Sequence, residues 1–204
     1  MVLSVLTYIV VGNFLHIFLI WNLFLASIPF AIVYCIDQKV LNGKILLTIS
    51  ILLWFFFFPN SIYIITDLIY TDVSSLVISG NGYQPTVYIR AIAPYMALFH
   101  IYLGSIIGLI YGFKSINALY NLSKTTVFHK YRDLLVIAVF FLSAAGIYVG
   151  RFFRYNSWEL LKIFNIIEDF FSTFSLFTVF FIFALAIIQT LIFYGFRYNF
   201  NQEK

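Results

Sequence analysis

Between Ile45 and Tyr70 the chain runs for 26 residues with one charged side chain, Asp67. At 1.5 Å per helical residue such a run reaches about 39 Å, more than the roughly 30 Å of a bilayer's hydrocarbon core. Comparable apolar runs recur at roughly 1–36, 87–113, 132–150 and 170–196, separated by DQKVLNGK, TDVSSLVISGNGYQP, KSINALYNLSKTTVFHKYR and RFFRYNSWELLKIFNIIED. A backbone in lipid has to satisfy its own hydrogen bonds, so runs of this length and continuity are read as helices. The expected fold is all-α: a polytopic transmembrane helical bundle of about five spans, with a single integral membrane domain over residues 1–204. The spans are placed roughly at 14–36, 45–70, 87–113, 132–150 and 170–196. The first run is awkward, because 35 helical residues reach about 52 Å, too long for one upright span and too short for two with a turn. A spanning helix near 14–36 is expected, with an N-terminal part that tilts or lies at the interface. The alternative is a sixth, short helix.

Composition excludes the other classes. A chain that is 63% hydrophobic and 10% charged, with mean hydropathy +0.98, is no soluble domain, and apolar runs along its whole length are not a secretory signal peptide. One cysteine, Cys35, permits no internal disulfide and no Cys-rich metal site. No His and acidic residues fall at metal spacing, so neither a metal nor a cofactor is expected. The net charge of +4 gathers at segment ends, and no loop is both basic and long enough to fold around nucleic acid. These charges report topology. One side of a five-span chain carries Lys39, Lys44, Lys114, Lys124, Lys130, Arg132, Arg197 and Lys204; the other carries Arg90, Arg151, Arg154 and Lys162. The excess makes the first side cytoplasmic, with the C-terminus, in a multi-pass protein of the cell membrane. The segment from Pro59 to Asp72, Arg90 and the loop after Gly150 then share the other face.

That second face carries the polar constellation. Counting from Lys44, Asn60 lies about 24 Å along its helix and Asp67 about 34 Å, so the amide is still within hydrocarbon and the carboxylate near its edge. Asn60, Tyr63, Asp67 and Tyr70 share one helical face, with Thr66 beside them. Pro59 lacks an N–H and crowds the carbonyl of Phe55, which predicts a kink. Asn60 and Thr66 then either satisfy the loosened backbone or line an outward cavity.

The second polar element is GRFFRYNSWEL, residues 150–160. Arg151 and Arg154, three apart, either snorkel to headgroups or grip an anion, phosphate by preference, with planar guanidinium forks. Asn156 with Glu159 resembles a capping box, and Trp158 anchors the interfacial amphipathic helix that follows, in which Glu159, Lys162, Asn165 and Asp169 form the polar stripe. Asp67 and Arg151 could pair and lock two helices together. One acid against Arg90, Arg151 and Arg154 leaves positive charge over, which suits an anionic lipid or a lipid-linked phosphate.

Gly104, Gly108 and Gly112, and Gly146 with Gly150, are spaced for close helix packing and leave room for a helix-packing partner or homo-oligomer. His100 shares the Gly104 and Gly108 face and reads as a hydrogen-bonded structural histidine, with His16, Asn13 and Asn22 candidates for the same polar layer. No HExxH, GxSxG, P-loop or CxxC element is present, and Asp67 is the one candidate for acid–base or nucleophilic work.

Three phrases in order, WNLFLASIP (21–29), FPNSIYIITDLIY (58–70) and GRFFRYNSWEL (150–160), resemble a family of bacterial integral membrane proteins classed only as a domain of unknown function. The resemblance covers the chain from about residue 20 onward, implies a polytopic helical bundle and carries no activity with it. It singles out Asn22, Pro59, Asn60, Tyr63, Thr66, Asp67, Gly150, Arg151, Arg154, Asn156, Ser157 and Trp158. Ser27 departs from it, standing where a bulky aromatic is common, as does an N-terminus shorter than in members with an extra span.

Three functions follow. One is a binding protein with an outward pocket for an anionic or lipid-linked ligand, using Asn60, Tyr63, Thr66, Asp67, Arg90, Arg151, Arg154, Asn156 and Trp158. The second is an enzyme acting on a phosphate-bearing lipid. The third is a structural or assembly partner without a ligand site.

Overall fold

The computed structural model describes residues 1–41, 43–71, 75–78, 87–122, 130–155 and 162–202, with side chains as far as Tyr198. Seven helices follow one another among them: α1 (Val2–Val11), α2 (Leu15–Asp37), α3 (Lys44–Tyr63), α4 (Ile92–Leu122), α5 (Arg132–Tyr148), α6 (Ile163–Ser172) and α7 (Leu176–Gln202). A 3₁₀ segment, Ile64–Tyr70, prolongs α3, and a five-residue π-turn, Val149–Phe153, prolongs α5. Five helices are long and apolar enough to cross a membrane: α2, α3 with its 3₁₀ extension, α4, α5 with its π-turn, and α7. Leu52, Leu103, Leu142, Phe180 and Ile187 project outward from them, as lipid-facing side chains do. The protein is a multi-pass membrane protein.

The first apolar run resolves into two helices. Gly12, in the left-handed region at φ 74°, ends α1 by donating its N–H to the carbonyl of Tyr8, and Asn13 Oδ1 accepts the N–H of Leu15 as α2 begins. The spanning helix is close to the expected 14–36, and the residues before it form a separate short helix, the alternative named above. Helix α1, about 15 Å long, packs against α4 and α2 with Ser4 and Thr7 buried. Their hydroxyls are satisfied: Thr7 donates to the carbonyl of Leu3, and Ser4 bonds His100.

Three span limits also shift clearly. The third begins at Ile92 rather than 87, because Val87 and Tyr88 pair antiparallel with Ile78 and Val77 in a two-residue ladder. It continues to Leu122 through Lys114, whose exposed side chain can keep its charge outside the packing. The last span begins at Leu176 rather than 170. Ser175 and Thr178 bond each other's backbone N–H there, a reciprocal cap that starts a helix separate from α6. In α6, Phe164, Ile167 and Phe171 are exposed along one side, as expected of an interfacial amphipathic helix.

Helix α3 is central. It packs against α2, α4 and α5, while α5 also packs against α7. The core is aromatic: Trp54 and Phe58 of α3, Phe113 of α4, Phe140 of α5 and Phe193 of α7, with Phe140 and Phe193 rings 5.7 Å apart and edge-on. The glycine row of α4 makes the closest approach. A Cβ on Gly108 would stand 2.6 Å from the backbone oxygen of Ser61. That contact lets Ser105 Oγ reach the carbonyl of Ile64 and Ser61 Oγ the carbonyl of Ala26, tying α2, α3 and α4 together.

Candidate functional site

Asp67 and Arg151 form an ion pair, Nη2 to Oδ1 at 2.6 Å, with side chains only 4% and 8% exposed. The geometry follows from two departures from α-winding. From Ile64 onward α3 tightens to 3₁₀, in which residues three apart eclipse, so that Asp67 and Tyr70 stack in one row. Opposite them the π-turn adds a residue to the end of α5 and carries Arg151.

The guanidinium is enclosed. Its Nε donates to Thr66 Oγ1 at 3.0 Å, its Nη1 to the Tyr70 hydroxyl at 3.1 Å, and its Nη2 to Thr66 Oγ1 as well as to Asp67. It also lies over the Tyr63 ring at 4.3 Å and the Tyr70 ring at 5.3 Å. Thr66 is held in turn by donating to the carbonyl of Tyr63. The other carboxylate oxygen, Oδ2, accepts from Asn22 Nδ2 at 3.1 Å, which ties α2 into the same group. Both oxygens of Asp67 are therefore engaged, as a buried charge requires.

Arg154 behaves differently from Arg151. It ends the π-turn in the left-handed region at φ 62° and is exposed. Arg90 is also exposed, two residues before α4. Neither makes a hydrogen bond or ion pair among the described residues. Of the three arginines, only Arg151 turns inward. Asn156, Ser157, Trp158 and the expected Asn156–Glu159 cap lie outside the described residues.

Beside the lock is a cleft of about 300 Å³. Its floor is α3, with Pro59, Asn60 and Tyr63; α2 contributes Trp21 and Asn22, and the end of α5 contributes Gly150 and Tyr155. Helix α3 runs through Pro59 to Tyr63, with Asn60 Nδ2 donating back to the carbonyl of Phe57. Gly146 is the reason α5 comes so near, since a Cβ there would stand 3.3 Å from Pro59 Cγ. The stripe is thereby divided. Asn60 and Tyr63 border open space, whereas Thr66 and Asp67 are packed into the lock.

A second buried polar group joins α1, α2 and α4. His16 Nδ1 and His100 Nδ1 are 3.0 Å apart, and His100 Nε2 is 3.0 Å from Ser4 Oγ. His100 is thus the hydrogen-bonded residue expected, and His16 joins it, whereas Asn22 belongs to the lock. No group of three or more residues suited to a metal occurs among the described residues.

The sequence match that bears on identity runs through all three polar phrases. Residues 21–192 match the family described as "Protein of unknown function (DUF1361)". The chain belongs to the DUF1361 family. Comparison with curated proteins and with solved structures gives no match. The DUF1361 region contains every residue of the lock and every lining residue of the cleft except Phe18, and ends within α7. Sequence reasoning left Trp21, Asn22, Tyr70 and Tyr155, among others, out of the candidate ligand-binding set. Asn22 carried a signal in the Trp-Asn phrase; Tyr155 carried none, since only the turn at Arg154 brings it to the cleft.

Proposed function

We propose that this DUF1361 protein binds the head of an anionic ligand, a phosphate carried on a lipid, in the cleft between α2, α3 and α5. The observation that carries the reading is the cleft's composition: Asn22, Asn60, Tyr63 and Tyr155 line it, and the neighbouring Arg154 is exposed and unpaired among the described residues. Phe18 and Trp21, both exposed on α2, give the cleft an apolar lip toward lipid. A lipid-attached ligand could enter from the bilayer with its chain on that lip and its phosphate toward Arg154, a cation that suits bidentate recognition. The 204 residues act as one membrane domain. The excess of Lys and Arg on the opposite side makes the cleft face extracytoplasmic and the C-terminus cytoplasmic.

The enzymatic reading needs a free carboxylate. Asp67 offers none, because Arg151 and Asn22 take one oxygen each. Arg151 is a positioning residue in this proposal, fixing the turn that presents Arg154.

Native mass spectrometry of the purified protein tests the reading. A co-purified phosphate-bearing lipid is expected, retained in Arg154→Lys and reduced about fivefold in Arg154→Asn, the loss expected for one basic residue near a membrane surface. Asn tolerates the left-handed backbone of position 154, so the fold is spared. An unchanged lipid profile in Arg154→Asn overturns the proposal.

A further inference from the structure

At the other end of the bundle, α4 and α7 enclose a groove of about 420 Å³ lined by Ile110, Phe113, Phe193 and Phe196. Lys114, Asn117 and Arg197 close one end of it. The two cations are set differently. Arg197 is fixed, with its guanidinium 3.6 Å over the Tyr120 ring and Nη1 donating to Asn117 Oδ1 at 3.1 Å. Lys114 is exposed and has no hydrogen bond or ion pair among the described residues.

Their depth fits a headgroup. Helix α4 spans 31 residues, about 46 Å, so it overhangs a 30 Å hydrocarbon core by about 8 Å at each end if centred. Lys114 lies about 12 Å before its C-terminal end and so about 4 Å inside that boundary, within reach of the phosphate layer for a snorkelling side chain. Arg197 lies about 32 Å from the start of α7, near the same level.

The local charge balance is positive. Asp133 accepts the hydroxyls of Tyr120 and Tyr194 through Oδ1 and faces Arg132 and Arg197 at longer range. Asp37 lines a neighbouring cavity with Lys114 and Asn117, so two carboxylates stand against Arg132, Arg197 and Lys114. An apolar trough ending at two cations is complementary to one kind of occupant already present in a bilayer.

We infer that the α4–α7 groove is a site for an anionic phospholipid, with an acyl chain along the exposed Ile110 and Phe196 and the phosphodiester held by Lys114 and Arg197. This site is on the face opposite the cleft and stands independently of it. The lipid supplies anionic charge next to Arg197 and covers the exposed apolar surface of Ile110 and Phe196.

Native mass spectrometry of the full chain, delipidated and titrated with phosphatidylglycerol or phosphatidylcholine, tests it. Phosphatidylglycerol is expected to bind more tightly than phosphatidylcholine. Lys114→Ala should weaken it about fivefold, Lys114→Glu further, and Lys114→Arg should restore it. Lys44→Ala, which removes a lysine on the same face at the start of α3, should leave the titration unchanged. Filling the groove by Ile110→Trp, with both cations kept, should also weaken binding. Equal binding of the two lipids overturns the inference, as does an equal loss in Lys44→Ala and Lys114→Ala, or wild-type binding in Ile110→Trp.

Discussion

Breaking the Asp67–Arg151 pair from either side should destabilise the bundle, and removing both partners should recover much of the loss. Two unit charges about 4 Å apart attract by about 4 kcal/mol at an effective dielectric near 20. Asp67→Asn removes that attraction but leaves Arg151 with the Thr66 and Tyr70 hydroxyls and two tyrosine faces, which offset about 1–2 kcal/mol. A net destabilisation of about 2–3 kcal/mol is expected. Arg151→Met leaves an anion held by Asn22 alone in a site 4% exposed, for which about 3–5 kcal/mol is expected. The double variant removes both charges and places a neutral amide and an apolar chain in similar volume. It should lose only about 2–3 kcal/mol, a coupling of about 4 kcal/mol. Reversible unfolding in mixed micelles, followed by tryptophan fluorescence, measures all four corners of the cycle. A coupling below about 0.5 kcal/mol, the range of independent sites, refutes the claim that the pair ties α3 to α5.

Gly108→Ala forces a Cβ to within 2.6 Å of the Ser61 backbone oxygen and should destabilise by about 1–3 kcal/mol in the same assay. Gly195→Ala, with open space around its Cβ, should be neutral or stabilising by up to about 1 kcal/mol from helix propensity alone. His100→Leu strands His16 Nδ1 and Ser4 Oγ together and should lose about 2–4 kcal/mol, part of which Ser4→Ala recovers by removing one orphaned hydroxyl. The cleft and groove proposals add two lipid-binding predictions measured by native mass spectrometry: Arg154→Asn weakens the first and Lys114→Ala the second.

The spans were legible because a run of apolar residues longer than a bilayer admits little but a helix. Asp67 and Arg151 were legible as partners for a related reason: the chain carries few charges, and helix counting brings these two to the same face. What escaped depended on backbone winding. Arg151 and Arg154 are three apart and were expected to project together, yet the π-turn and the left-handed φ at Arg154 send one into the core and the other outward. No side-chain pattern marks that turn. The limits of α4 escaped for a different reason, since Lys114 looks like a helix end in hydropathy but its flexible stem lets the helix continue beneath it. The pairing of His16 with His100 spans 84 positions, and its third member, Ser4, is brought in by α1, which a 10-residue apolar stretch does not announce.

The change of winding at Ile64 links the lock to the cleft. Under α-winding, Asp67 and Tyr70 would be offset by about 60° around the helix; under 3₁₀ winding they eclipse, and one guanidinium can reach both. Seven residues at about 2.0 Å each also rise about 14 Å instead of about 10.5 Å, which carries Tyr70 to the exposed end while Asp67 stays buried. Tyr63 sits just before the change and serves both regions: its ring is 4.3 Å from the Arg151 guanidinium, and it helps to line the cleft. A molecule in the cleft therefore touches the residue against which the lock is packed, and by mass action its binding adds to the stability of the same interface. On the proposed reading, occupancy of the cleft and integrity of the Asp67–Arg151 pair are coupled through Tyr63 and through Asn22, which lines the cleft and donates to Asp67 Oδ2.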